Sequence, residues 1–345
     1  MWLSKKIEKN MLRDRAKKLP EITDEMFQKV NEEYRQLSEE FIKNQGLSPK
    51  SRIQYESVIK QFGWYIYTQL RNKPFHMISK RDFLNYLSYL REDRKMSSSA
   101  INLRKSVISS FCNYIENIIV GEYGFEHYDK FRNFTRGLPT IPKTQTYNKV
   151  KVTRNEYLYM MEELEKRENY LGMAWLATAF NTGARRAEII QFPTSMLEQG
   201  FSEGVPHIMS PVIRGKGHGE DGKKIQYMIN KEAYHYMKLW VEKRGYYHEY
   251  IFTTKYKGEY RQMDETWADY FCANVLSEIL GRRINVHIFK ASAITFLLES
   301  GVPLELVSRF VAQHNDVSTT IRHYDLRDFE EERNSIFANI DLKIN

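Results

Sequence analysis

The sequence is interrupted once, and that interruption limits what it can fold into. Gly137-Leu138-Pro139-Thr140-Ile141-Pro142-Lys143-Thr144 breaks long stretches of helical periodicity, and basic, extended sequence continues to Val152. A chain of 345 residues is too long for one ordinary core. Residues 137–152 are therefore read as a linker between two domains.

Upstream of the break the signals are helical. Ser48-Pro49 is an N-cap followed by proline at the first helical position, and Ile53, Val58, Ile59, Phe62 and Ile66 follow at helical spacing. Ser79 with Asp82 opens a second helix carrying Phe83, Leu84, Leu87 and Leu90. Ser97 to Ser99 open a third, with Ile101, Val107, Ile108, Phe111 and Ile115. Residues 46–136 are thus expected to form a small helical bundle. Residues 1–45 are polar, with Lys5, Lys6, Lys9, Arg13, Arg15, Lys17 and Lys18 ahead of Glu32, Glu33, Glu39 and Glu40. They read as a solvated helical extension, a DNA-touching arm being the alternative.

Downstream, residues 153–345 begin with a capping box, Thr153 to Glu156, ahead of Tyr157, Met160, Met161 and Leu164. A second apolar helix runs to Phe180 and stops at Gly183, and Arg185 begins another. Strand signals occupy Ile208 to Ile229, where Ile225, Tyr227 and Ile229 alternate around a glycine-rich turn, Arg214 to Gly219. Helices resume at Lys231, Thr266–Leu280, His287–Ser300, Leu304–Val311 and Ser318 onward. The domain is expected to be mainly helical with a small β-sheet.

A net charge of +8 favours a polyanionic partner. Lys50, Arg52, Lys60, Arg104 and Lys105 in the bundle are candidate phosphate contacts, each also readable as an ordinary exposed residue. Cys112 and Cys272, far apart in apolar contexts, are expected to be reduced core residues of a cytoplasmic protein. No apolar run approaches the roughly twenty residues of a membrane span, and no signal peptide is evident. Phe329, Ile336, Phe337, Ile340 and Leu342 near the end suit a segment that docks on a neighbouring subunit or packs on its own domain.

Three boxes carry the chemistry. They are Thr182-Gly183-Ala184-Arg185-Arg186-Ala187-Glu188, His287-Ile288-Phe289-Lys290, and Gln313-His314 running to Tyr324. Their order and types resemble the tyrosine recombinases, or phage-type integrases. The upstream bundle resembles their core-binding, SAM-like domain. The resemblance implies a site-specific DNA recombinase that cuts through a 3′-phosphotyrosine intermediate, and since the sequence has no Gly-x-x-x-x-Gly-Lys-Ser/Thr loop, no His-Glu-x-x-His and no Cys-x-x-Cys pair, no metal and no nucleotide cofactor are expected. It implies double-stranded DNA as partner, a tetramer on two sites and an excisionase-like accessory protein.

It also assigns roles. Tyr324 is the nucleophile, Arg185 the phosphate clamp, Glu188 its support, His287 a base, His314 a donor to a phosphoryl oxygen and Lys216 the acid for the leaving oxygen. Lys290 stands where the family has arginine, and Gln313 where it has glycine. An ammonium cannot form the guanidinium fork, and a side chain at 313 is expected to restrict the loop and shift His314. Those departures favour a second reading, a non-catalytic DNA-binding regulator such as a phage repressor, which would bind as a dimer or monomer. A third is a type IB topoisomerase.

Overall fold

The computed structural model describes residues 19, 21–139, 141, 150–217, 222–314 and 316–327. The basic run at the N-terminus, the middle of the linker, the tip of the glycine-rich turn and the apolar tail residues lie outside them. Among the described residues, 19–141 form one unit and 150–327 another.

The first unit is built from helices α1 (Asp24–Phe27), α2 (Glu32–Asn44), α3 (Pro49–Gln69), α4 (Lys80–Ser88) and α5 (Ser98–Tyr114). Their starts are where side-chain oxygens replace missing backbone acceptors: Asn31, Ser48 and Ser97 each cap a first turn, and Ser79 with Asp82 closes a reciprocal box. Aromatic rings fill the core. Phe41, Phe62, Phe83 and Phe111 are fully buried, and Phe75 packs at a tilt on Phe111 with centroids 5.0 Å apart. Gly63 sits mid-helix because the ring of Tyr34 lies against it, leaving no room for a Cβ.

Three expectations are corrected here. Glu32–Asn44 is part of this core rather than a solvated extension, because Tyr34, Leu37, Phe41 and Ile42 form a narrow buried stripe within polar sequence. Ile53 and Leu84 are exposed despite their spacing, Ile53 lying near the start of α3. The proposed linker is shorter at both ends. Leu138 and Ile141 pack on the helical core, while Val152 is buried in the other unit and its N–H donates to Ser292 Oγ at 2.7 Å.

The second unit contains α6 (Arg154–Lys166), α7 (Tyr170–Thr182), α8 (Arg186–Ile189), α9 (Lys231–Lys243), α10 (Glu265–Tyr270), α11 (Ser277–Leu280), α12 (His287–Glu299), α13 (Leu304–Leu306) and α14 (Val317–His323). A π-turned stretch, Phe271–Leu276, joins α10 to α11. Helix α7 is apolar on every side and packs against α6, α9 and α12. Its Trp175 is fully buried against Trp267, Phe271 and Phe289.

The β structure is three two-stranded antiparallel pairs rather than one small sheet. β1 (His207–Met209) pairs with β4 (Met228–Asn230), and β2 (Ile213–Gly215) with β3 (Lys223–Ile225), so together they make one interrupted hairpin. Ser210 and Tyr227 bridge the interruption through Ser210 N–H to Tyr227 O at 2.8 Å and Tyr227 N–H to Ser210 Oγ at 2.9 Å. β5 (Thr253–Tyr256) and β6 (Glu259–Gln262) form a hairpin the sequence reading missed. Its signal was Lys257-Gly258, both at positive φ, between Thr253-Thr254-Lys255-Tyr256 and Glu259-Tyr260-Arg261-Gln262.

Both cysteines are buried and free, and burial pushes both thiols well up. Among the described residues no helix is long and apolar enough to cross a membrane.

Candidate active site

Helix α7 ends at Gly183, whose φ of +63° is the left-handed conformation that favours glycine. The chain then turns so that Arg185 becomes the N-cap of α8. Glu188, buried one turn later, holds both ends of that arginine. Its Oε2 accepts the Arg185 N–H at 2.7 Å, and its Oε1 accepts Arg185 Nη1 at 2.9 Å. The Tyr227 hydroxyl donates to Oε2 at 2.6 Å.

Burial alone would raise the Glu188 carboxyl. The Tyr227 bond and the Arg185 charge outweigh it and hold the carboxyl below its usual range. Arg185 is thereby fixed at its base, and its guanidinium retains donors for an anion. Tyr227, read only as part of a strand, is the positioning residue missed by the sequence reading; its place is legible as the buried polar tip in an apolar alternation.

Lys290 lies in the first turn of α12 and is buried. Its Nζ donates to the carbonyl of Gly183 at 3.2 Å, capping the C-terminal end of α7 where helix carbonyls lack partners. Burial, the Arg185 charge and Lys223 together push its ammonium down to about 7, against the opposing pull of Glu188. The lysine in the arginine position is therefore not a simple point charge. Near neutrality it is only partly protonated.

Tyr324 ends α14, its N–H bonded to Thr320 O at 2.9 Å and its carbonyl accepting from Thr295 Oγ1 at 3.0 Å. Its ring centre lies 4.8 Å from that of His314 and 5.9 Å from Lys290 Nζ. His314 Nδ1 lies 2.8 Å from Thr320 Oγ1, which donates to Ser308 Oγ at 2.9 Å. With Thr320 donating onward, Nδ1–H is the donor to it, and the neutral ring presents a lone pair at Nε2. Burial and the cations Lys290, Arg185 and Lys223 push the imidazolium down to about 4.

Gln313 does not keep the loop from its glycine-like shape: it adopts φ +57° itself. Its Nε2 donates to Gln226 O at 2.9 Å and Phe310 O at 3.0 Å, and its carbonyl accepts from Lys223 Nζ at 3.0 Å. Those three bonds offset a strain of about 1 kcal/mol. The expected restriction of the loop by a side chain at 313 is thus met by a left-handed residue that its own hydrogen bonds hold in place.

His287 begins α12 and is exposed, its imidazolium pushed down by partial burial and by Arg186, Arg185 and Lys216. Lys216, exposed at the end of β2, is thus near enough for His287 to feel its charge. Arg185 is the common neighbour: its field reaches His287, Lys290 and His314, and it feels Tyr324. Lys223, in the same hairpin as Lys216, acts on both Lys290 and His314. It stands opposite Gly215 across the β2–β3 pair, a register no local motif reveals.

The five candidate phosphate contacts belong to the helical unit, on α3 and α5, and most are engaged within it. Arg52 pairs with Glu56 at 3.0 Å, Lys60 with Asp24 at 2.7 Å, and Arg104 Nη2 donates to Gln61 at 3.0 Å. Lys105 reaches Leu138 O at 3.5 Å, and Lys50 is exposed in the first turn of α3.

Comparison with known proteins follows the same division. The family model described as Phage integrase family matches residues 151–331, and that described as Phage integrase, N-terminal SAM-like domain matches residues 34–122. The chain belongs to the tyrosine recombinase family of phage integrases. It is 58% identical to the SPbeta prophage-derived recombinase-like protein YomM of Bacillus subtilis (strain 168), over 97% of this chain and 100% of that one.

Among solved structures, its fold is similar to the Tn1549 transposon integrase in complex with transposon right end DNA. That match has a TM-score of 0.62 and 14% identity, covering 89% of this chain and 99% of that one. It is also similar to a lambda integrase dimer bound to a COC′ core site, with a TM-score of 0.60 and 15% identity over 87% and 97% of the two chains. A lambda integrase tetramer bound to a Holliday junction matches with a TM-score of 0.57 and 17% identity over 86% and 78%.

Proposed function

We propose that this chain is a site-specific DNA recombinase, with Tyr324 as nucleophile. The observation that carries the reading is convergence: Arg185, Lys290, His314 and Tyr324, from three separate sequence boxes, share one electrostatic neighbourhood. Such a cationic pocket beside a tyrosine suits phosphoryl transfer, in which charge grows on nonbridging oxygens.

The Tyr324 oxygen, its proton passed to His287 or to solvent, attacks the scissile phosphorus. A phosphotyrosine bond forms at the 3′ side as the bond to the 5′ oxygen breaks, and Lys216 protonates the leaving oxygen. The reverse step, with the 5′ hydroxyl of a partner strand, rejoins DNA without ATP. Arg185 contributes a fixed fork, whereas His314 becomes a donor only once protonated, which an arriving phosphate favours by its charge. Binding to duplex DNA and tetramer assembly on paired sites are part of this reading. The similar integrases, whose structures hold them on DNA and in one case as a tetramer, support it.

The second reading, a DNA-binding regulator with a recombinase fold, draws on Lys290: a buried amine committed to the Gly183 carbonyl is a poor replacement for a guanidinium. Covalent capture separates the two. A nicked DNA site that makes cleavage irreversible should give an SDS-resistant protein–DNA adduct, absent in Tyr324→Phe. Specific binding with no adduct would transfer the assignment to the regulator.

A further inference from the structure

The helical unit carries a separate cluster of metal-ligating side chains. Glu33 lies in the first turn of α2, His76 in the 3-10 turn Phe75–Met77, and His127 in the 3-10 turn Glu126–Tyr128. One nitrogen of each imidazole and one carboxylate oxygen of Glu33 all lie within 4.8 Å of one another. Each is next in sequence to an aromatic wedged in the core: Tyr34, Phe75 and Tyr128, none more than 1% exposed. Those anchors fix the course of all three segments, so the cluster is built by the fold rather than by a chance meeting of surface rotamers.

The carboxylate is oriented. The buried Tyr128 hydroxyl donates to Glu33 Oε1 at 2.8 Å, leaving Oε2 at 2.6 Å from His127 Nε2. The rings pack closely, His76 to His127 at 4.8 Å and His76 to Tyr128 at 5.3 Å between centroids. One polar atom is left over: His76 Nδ1 is buried with no hydrogen-bond partner, in a class of group that folded proteins nearly always satisfy.

We propose that Glu33, His76 and His127 form a site for a divalent transition-metal ion of the zinc class, which staples α2 to the two turns. Two imidazoles and a carboxylate are donors that zinc accepts, with a fourth position left for water. A tyrosine bonded to the outer carboxylate oxygen is the supporting contact such ligands typically have. Bonds of about 2.0–2.2 Å place tetrahedral ligand atoms roughly 3.4 Å apart, so small side-chain rotations convert the cluster into a coordination shell. Every ligand belongs to the helical unit. The expectation of a metal-free protein rested on short motifs, and ligands from three distant segments make no motif.

The test uses tag-free full-length protein, stripped with chelator and titrated first with Co²⁺ and then Zn²⁺. The expected result is one Co²⁺ per chain, with the visible absorption of a four-coordinate N/O site, displaced by Zn²⁺, which also raises the melting temperature. His76→Gln and His127→Gln should each weaken uptake at least about tenfold, since even an outer-shell change typically costs 10- to 100-fold. Far-UV circular dichroism checks that each variant folds. X-ray absorption of the zinc-loaded wild-type chain reads the ligands without any variant, and two imidazoles with oxygen donors are expected. No uptake by wild type, full uptake by both variants, or a shell lacking imidazole would overturn the assignment. None of these readouts requires DNA cleavage, so the outcome is independent of the proposed recombinase activity.

Discussion

The two flanks of the candidate active site hold their cations in opposite ways. On one, Arg185 is tied through its main chain and its guanidinium to a buried carboxylate that Tyr227 also grips. On the other, Lys290 is buried with a carbonyl for its partner, and its charge is pushed down to about 7. A permanent cation with a counter-ion and a conditional one without make different demands on DNA: the first is ready before a phosphate arrives, the second completes its charge when one does.

Removing the permanent cation should have the largest effect. Arg185→Ala is expected to slow covalent-adduct formation by roughly 10³-fold while weakening DNA binding far less; equal losses in a cleavage and a gel-shift assay would show that the arginine merely binds. Glu188→Gln, which leaves Arg185 buried without its counter-charge, should cost about 3 kcal/mol in denaturant unfolding.

Lys290→Met should do the reverse, stabilising the fold by roughly 2–4 kcal/mol at pH 7 because it removes a buried cation. The folded ammonium titrates near 7, whereas an unfolded lysine titrates near about 10.4. The unfolded chain therefore binds more protons between those values. Wild-type stability falls as pH drops from about 10 to 7, flattens below, and loses that slope in Lys290→Met. If stability curves of the two proteins run parallel, the contrast between the flanks is wrong.

A phosphate beside Lys290 raises its affinity for a proton, so DNA affinity should strengthen as pH falls from about 9 to 7, by at most about tenfold per unit from this group. Fluorescence anisotropy across that range, with Lys290→Met as the flat control, checks it. The smallest effect is expected at Gln313→Gly, within about 1 kcal/mol of wild type, because released strain and lost bonds to Gln226 and Phe310 nearly cancel.

Much of this was legible in the sequence because it is local. Capping boxes at Ser79 and Thr153, the stop at Gly183 and the three boxes that meet in space all declare themselves within a few residues. What escaped depends on partners far along the chain. Tyr227 looks like any strand residue until it meets Glu188, and Lys223 like any hairpin lysine until it reaches Gln313. Helix α2 was lost in its own polarity, since four apolar-facing residues decide its burial while the charged majority sets its composition. Glycine at the position of Gln313 signals a left-handed turn, but a side chain with enough compensating bonds makes the same turn, which sequence rules alone do not foresee.

The interrupted hairpin has one more consequence. Its outer pair, β1 with β4, and its inner pair, β2 with β3, meet at Ser210 and Tyr227, and the tyrosine at that joint is the one that grips Glu188. The inner pair also has its own tie to the clamp, since Gln191, just past α8, donates through Nε2 to Arg214 O of β2 at 2.9 Å and accepts the Arg214 N–H at 3.0 Å. Held at the joint and again at Gln191, the hairpin and the arginine clamp form one piece, so a substitution that shifts the inner arm is expected to shift Arg185 with it.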